Sequence, residues 1–156
     1  LVDDGPADVV VIGGAGVEFT HGQLNEAFRL ILEGAAFVAM HRNLYWRTSK
    51  GLELDTGAYV RALQEATGVD PVVLGKPSPD FFATGVAELG VPAEDRSSVV
   101  MVGDDLDNDV LGARHAGLSG VLVRTGKFRE DVLAASDEQP DAVIDAFADL
   151  PALLGL

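Results

Sequence analysis

Four of the six residues from Asp104 to Asp109 are aspartates, inside the stretch MVGDDLDNDVLGARHAG. They stand between an apolar run that reads as a buried strand and a stretch that reads as a helix. Near a protein surface, two carboxylates about 4 Å apart repel by roughly 4 kcal/mol at an effective dielectric near 20. Carboxylates at this density therefore call for a cation among them. One or two aspartates would serve as an ordinary helix start, where acidic groups complement the dipole and satisfy free amides. Four of them, at the carboxyl end of a strand in an alternating chain, point to a site, because ligands of such sheets collect at that edge. A calcium loop read from Asp105 matches at Asp107 and Asp109, but Val110 stands where it needs glycine and Ala116 where it needs a bidentate glutamate. Mg²⁺, which is content with one or two carboxylates plus substrate oxygens, fits better.

A second candidate is Lys76 in GKPSP. It sits at the end of a strand, just ahead of a helix start made by Ser78, Pro79 and Asp80, where an ammonium can neutralise a phosphoryl oxygen. A lysine and a carboxylate-bound cation at one sheet edge make a frame for phosphoryl transfer, in which positioning and charge neutralisation supply most of the catalysis. The glycines of VVVIGGAGVEF are weaker. Read as a dinucleotide fingerprint from Gly14 and Gly16, the third glycine position holds Phe19, and the helix starts only near Thr20, too late to face a pyrophosphate.

The elements that must position these residues follow from the patterning. ADVVVIG, AAFVAM and PVVLG read as strands, with a helix between the first two capped by Thr20, carrying Leu24, Ala27, Phe28 and Ile31 on one face and ending at Gly34. HRNLYWRTSKGLELDTG reads as a strand end and an irregular loop, followed by a helix from Ala58 to a stop at Gly68. A helix opened by Ser78 and Pro79 then closes at Gly90. Strand SVVMVG, helix DVLGARHAG, strand GVLVRTG, helix REDVLAA, strand DAVI and helix FADLPALL complete the chain. Strict strand and helix alternation predicts parallel strands with right-handed crossovers, an α/β architecture. The only candidate domain boundary is the Gly/Pro-rich segment near residue 75.

Composition narrows the function classes. Eleven basic against 25 acidic residues give a net charge of −14, which argues against a nucleic-acid or anionic-membrane surface. The absence of cysteine excludes disulfides, thiolate catalysis and cysteine metal sites. No apolar stretch approaches a membrane span and LVDDGPAD has no signal-peptide character, so the expected location is cytoplasmic. The first residue is Leu1 and a strand pattern starts almost at once, as if the chain began in mid-protein.

VVLGKPSPDFF, followed by VVMVGDDLDNDVLGARHAGLSGVLVRTGKF, closely resembles the third and fourth motifs of the haloacid dehalogenase-like superfamily of Mg²⁺-dependent aspartyl phosphatases. The first 74 residues resemble the α/β cap of the nitrophenylphosphatase and phospholysine phosphohistidine inorganic pyrophosphate phosphatase subfamily. The resemblance implies a cap at 1–74 and the C-terminal part of a Rossmann-like parallel-sheet core at 75–156. It implies that Lys76 binds the phosphoryl group and steadies the nucleophile, that Asp104 ligates Mg²⁺, and that Asp105 and Asp109 support it. Within the cap, His41, Asn43, Tyr45 and Trp46 of HRNLYW are candidates for substrate binding, since polar groups beside aromatics at a strand end suit a small phosphorylated ligand. A homo-oligomer through the cap is allowed.

The departure from the family pattern is the Asp-x-Asp pair that carries the nucleophile and the general acid/base, together with the Ser/Thr of the second motif, both expected upstream of the cap. Asp3 and Asp4 are adjacent rather than spaced by one and follow no strand. The expectation is a chain lacking about three strand-helix units of roughly 30 residues each, inactive on its own. The rival function is a degenerate member acting as a binding or regulatory protein, against which the retention of Lys76 and Asp104 speaks. A phosphoacceptor receiver domain is disfavoured because its acidic cluster precedes its lysine.

Overall fold

The computed structural model describes residues 5–14, 16 and 19–156; Asp3, Asp4 and part of the glycine-rich loop lie outside the described residues. The β-branched run Val9–Ile12 forms β1, with Val10 and Ile12 buried and Val9 and Val11 exposed, the period-2 alternation of a sheet with one covered face. Thr20 opens α1, His21–Leu32, through a reciprocal cap. Its hydroxyl accepts the Gln23 N–H at 3.3 Å while Gln23 Oε1 accepts the Thr20 N–H at 3.4 Å. The buried Ala27 and Ile31 press this helix against β2, Ala36–Ala39, and its parallel partner β1.

The chain next departs from the expected loop. Tyr45–Thr48 (β3) and Gly51–Leu54 (β4) pair as an antiparallel hairpin, with Tyr45 opposite Leu54 and Trp46 opposite Glu53. The Thr-Ser-Lys-Gly segment is a tight turn: Thr48 Oγ1 accepts the Lys50 N–H at 3.0 Å and donates to the Gly51 carbonyl at 3.2 Å, and Gly51 takes a positive φ of 113°. The hairpin breaks the strict strand-helix alternation. α2, Thr56–Thr67, starts two residues ahead of the expected Ala58 because Asp55 caps it, its Oδ1 accepting the Thr56 N–H at 2.7 Å; Gly68 ends it in the left-handed conformation. β5, Val72–Val73, completes a parallel sheet of order β1-β2-β5. Phe37, Ala39, Val60 and Leu63 fill the core beneath it.

Residues Leu1–Gly75 form one compact unit and Lys76–Leu156 a second. The second opens with α3, Pro79–Glu88, which buries Phe82 and Val86; Ser78 occupies the cap position without a side-chain capping bond. After a 3₁₀ segment, Ala93–Ser98, come β6, Val100–Gly103, and a π-helical turn, Leu106–Leu111, continuing into α4, Gly112–His115. The helix therefore begins earlier than the expected DVLGARHAG. The turn is wide because the Asp105 carbonyl accepts from both Asp109 (3.0 Å) and Val110 (3.3 Å). β7, Ser119–Val123, α5, Glu130–Ala135, β8, Ala142–Ile144, a 3₁₀ turn at Phe147–Asp149 and α6, Leu150–Leu154, follow.

The three strands form a parallel sheet of order β6-β7-β8, in register from Val100 opposite Ser119 to Gly103 opposite Leu122. The central strand is buried on both faces. Leu122 packs with Leu106, Val110, Leu111 and Phe128 on one side, while Val121 and Val123 pack with Ile144 and Leu150 on the other. Both units are thus α/β assemblies on parallel sheets. Among the described residues no helix is long and apolar enough to cross a membrane.

Candidate functional site

Parallel pairing sets where the chemistry collects. β6 ends at Gly103 and β7 runs beside it, so the segment after β6, carrying the aspartates, and the segment after β7, carrying Thr125–Phe128, emerge at the same edge of the sheet. Lys76, ahead of α3, reaches the same cluster, its Nζ donating to Asp109 Oδ1 at 2.6 Å; the Lys76–Pro77 bond is cis. Asp109 is buried in the π-helical turn, and its Oδ2 also accepts the Asp105 N–H at 3.3 Å. Gly103 permits this approach: a Cβ there would lie 2.3 Å from Asp109 Oδ2.

Asp104 and Asp105 share a different lysine. The Lys127 N–H donates to Asp104 Oδ2 at 3.0 Å and its Nζ to Asp105 Oδ2 at 2.9 Å. Asp105 also accepts from Asn108, from the backbone to Oδ1 at 3.0 Å and from the side-chain amide to Oδ2 at 2.9 Å. Burial pushes the Asp105 carboxyl up, but the Asn108 hydrogen bonds and the Lys127 ammonium outweigh it and leave its pKa below the ordinary aspartate value. Asp107 lies at the exposed rim, and burial, then the charge of Asp105, moves its pKa upward.

The fold thus brings together Lys76, Asp104, Asp105 and Asp109, and adds Lys127, which the sequence reading passed over although it lies in the quoted RTGKF. The signal was one more basic residue at the carboxyl end of a strand. Two ammonium groups also relieve much of the repulsion that suggested a cation; what remains in excess is the charge of Asp104 and Asp107. Among the described residues no group of three or more His, Cys, Asp or Glu side chains is arranged to hold a metal. Asp104 fits a hard cation nonetheless. It engages only Oδ2 in hydrogen bonding among the described residues, leaving Oδ1, and Mg²⁺ needs only one or two protein carboxylates when waters and phosphate oxygens complete its shell.

In the first unit, His41 and Asn43 meet the N-terminus of α2. His41 Nε2 lies 3.8 Å from Asp55 Oδ1, and the Asn43 carbonyl accepts the Gly57 N–H at 2.8 Å. A Cβ at Gly57 would come within 2.2 Å of the Arg42 carbonyl, so glycine lets the loop lie on the helix end. His41 Nδ1, Asn43 Oδ1 and Thr56 Oγ1 are buried without a hydrogen-bond partner among the described residues. Tyr45 and Trp46 lie instead on β3, as neighbours whose side chains point to opposite faces, Trp46 exposed.

Comparison with known proteins places these residues in context. The HAD-hydrolase-like family model matches residues 73–150, half of the chain. The phospholysine phosphohistidine inorganic pyrophosphate phosphatase of Danio rerio is 42% identical over 151 residues, 95% of this chain and 53% of the relative. The structure superposes on 4-nitrophenylphosphatase of Thermotoga maritima with a TM-score of 0.81 at 29% identity, covering 97% of this chain and 57% of that one. It also superposes on glycerol phosphate phosphatase of Mycobacterium tuberculosis in complex with magnesium, with a TM-score of 0.75 at 33% identity, covering 92% of this chain and 42% of that one. The chain spans about half the length of the curated relatives it matches.

Proposed function

The chain belongs to the haloacid dehalogenase-like hydrolase family, and on that premise we propose that it is part of a Mg²⁺-dependent phosphohydrolase of small phosphate monoesters or related phosphorylated compounds. The observation that carries this reading is the convergence of Lys76, Asp104, Asp105 and Asp109 at the carboxyl edge of the β6-β7-β8 sheet. The two compact units support the assignment of residues 1–74 as cap and 75–156 as the C-terminal part of a Rossmann-like core.

Lys76 holds one positive charge at the sheet edge, where it neutralises a phosphoryl oxygen and lowers the cost of bringing an anionic nucleophile to phosphorus. Asp109 holds that ammonium in place from the buried side. Asp104 is the residue that would hold Mg²⁺, which when bound shields the negative charge of the phosphoryl group. Asp105 is assigned as a support of Asp104 through Lys127, which bonds both, and Asp109 as the support of Lys76. The nucleophilic carboxylate, which would form an aspartyl-phosphate as the alkoxide leaves, and the acid that protonates that alkoxide are assigned to a segment outside these 156 residues. The other two aspartates of the 104–109 cluster are unsuited to attack: Asp105 has both oxygens in hydrogen bonds, and Asp107 stands at the exposed rim. His41, Asn43, Tyr45 and Trp46 are assigned to substrate choice. The acidic net charge argues against a nucleic-acid partner, while a small phosphorylated substrate follows from the lysine and aspartates of the site, and a cytoplasmic location belongs to the same reading.

The test is phosphate release from p-nitrophenyl phosphate and a panel of phosphate monoesters by the full-length protein, with Mg²⁺ and with chelator. Lys76→Ala and Asp104→Asn should each lower kcat/KM by about 100-fold or more. His41→Ala and Tyr45→Ala should reorder the panel, and the 156-residue chain alone should be inactive. Turnover that ignores chelator, or Mg²⁺-dependent turnover by the 156-residue chain, would refute the assignment. Absence of turnover with retained phosphoester binding would favour a regulatory member of the family.

A further inference from the structure

We propose that Gln64 is a positioning residue: bridging Arg42 and Asp70, it pins loop 41–43 along α2 and so fixes where the side chains of that loop meet substrate. The inference rests on the reading of His41 and Asn43 as determinants of substrate choice and names what holds them.

The bridge is a chain of two charge-assisted hydrogen bonds. The Arg42 guanidinium donates to Gln64 Oε1 at 2.7 Å, and Gln64 Nε2 donates to Asp70 Oδ1 at 2.6 Å. A guanidinium can only donate and a carboxylate can only accept, so the amide between them has one orientation, and each bond polarises the other. Arg42 and Gln64 are both half-buried, which separates their contact from a solvated surface pair. Gln64 stands on the third turn of α2, about 12 Å along the helix from Thr56. The Arg42 side chain therefore reaches down the helix while the loop backbone stays at its start, where the Asn43 carbonyl accepts the Gly57 N–H at 2.8 Å and the Leu44 carbonyl accepts the Asp55 N–H at 3.0 Å.

The attachment at the helix start is opposed by hydration. The seated loop buries His41 Nδ1 and Asn43 Oδ1, and Thr56 Oγ1 on the helix, without a hydrogen-bond partner among the described residues. Water would satisfy all three if the loop lifted, and it would also replace the two backbone bonds, so those bonds alone hold the loop weakly. The bridge adds a tether at a second point, anchored to α2 through Gln64 and to the segment ahead of β5 through Asp70. His41 and Asn43 flank Arg42 in the chain, so whatever fixes the Arg42 backbone fixes both of them.

The experiment pairs amide hydrogen exchange with kinetics on the full-length protein. Gln64→Met keeps the length and helix propensity of the side chain and removes both bonds. It should speed exchange at Gly57 and Asp55 by about tenfold. Ala36, whose N–H donates to the Asp8 carbonyl at 2.8 Å at the start of β2, should keep its wild-type rate. Across a panel of phosphate monoesters the variant should reorder KM in the same sense as His41→Ala and Asn43→Ala, with kcat changing far less. Gln64→Glu combined with Asp70→Asn rebuilds the chain with the second bond reversed, the new amide donating to the new carboxylate, and should restore both exchange and ranking. Equal acceleration at Ala36 would mark a merely structural glutamine and overturn the proposal. Unchanged rates at Gly57 and Asp55, a failed rescue by the double variant, or a panel order that follows His41→Ala but ignores Gln64→Met would overturn it as well. If Gln64→Met does not fold, Arg42→Met must give the same exchange pattern and the same KM order. A panel indifferent to His41→Ala and Asn43→Ala overturns the substrate-choice reading of the loop and this proposal with it, whereas a panel that responds to them but not to Gln64 overturns this proposal alone.

Discussion

Asp109 is the one charged residue in the buried set among the described residues, which makes Lys76→Met an informative perturbation. The Asp109 side chain is 8% exposed and lies 2.6 Å from Lys76 Nζ, whose own side chain is 32% exposed. At an effective dielectric near 20, unit charges at that separation attract by roughly 6 kcal/mol, much of it offset by the cost of drawing both groups from water. Removing one partner of a fully buried pair costs about 3–5 kcal/mol because the other charge is stranded. Here a third of the lysine already reaches water and Asp109 keeps the Asp105 N–H, so the expected loss is smaller, about 2 kcal/mol. Asp109→Asn on the Lys76→Met background removes the stranded charge and should recover about 1 kcal/mol. Urea unfolding of the full-length protein in chelator, followed by circular dichroism for the wild type, both single variants and the double variant, measures the coupling directly. Single-variant losses that add within about 0.3 kcal/mol would show that the two groups are not coupled, and the reasoning would fail.

Gly126→Ala should disturb Asp104, because its Cβ would lie 1.7 Å from Asp104 Oδ2 and the φ is positive, weakening Mg²⁺ binding in calorimetry far more than Gly85→Ala, whose Cβ meets nothing within 4 Å. Asp105 and Asp107 should carry opposite pH dependences in metal-free protein. The pKa of Asp105 is lowered in the fold, so its contribution is present above the ordinary aspartate pKa of about 4 and is lost as pH falls through the lower folded value. Asp105→Asn should therefore destabilise at pH 7 and do progressively less in acid, as read from urea midpoints across pH. The pKa of Asp107 is raised, so its ionisation opposes folding as pH rises through that value, and Asp107→Asn should stabilise modestly at pH 7 and have no effect well below pH about 4.

What the sequence determined by itself was the local structure and the identity of the chemical groups. β-Branched runs became β1, β6 and β7, and Thr20 and Gly68 marked a helix start and a helix stop, because each depends on residues within one turn or one strand of itself. The acidic cluster and Lys76 were visible as residue types at strand ends, and the motifs around them named the family. The hairpin β3-β4 was not legible, because its register depends on a short polar turn and on pairs such as Trp46 with Glu53 that no single-strand pattern displays. Nor was the wiring of the site. Lys76 is 33 positions from Asp109, and Lys127 is 22 from Asp105. Only the parallel registration of Gly103 with Leu122 sets the ends of β6 and β7 side by side, so that the turn following one strand closes on the aspartates following the other. A lysine in a sequence is one charge on a flexible stem; tertiary pairing decides which carboxylate it meets, and with that which oxygen remains for a ligand.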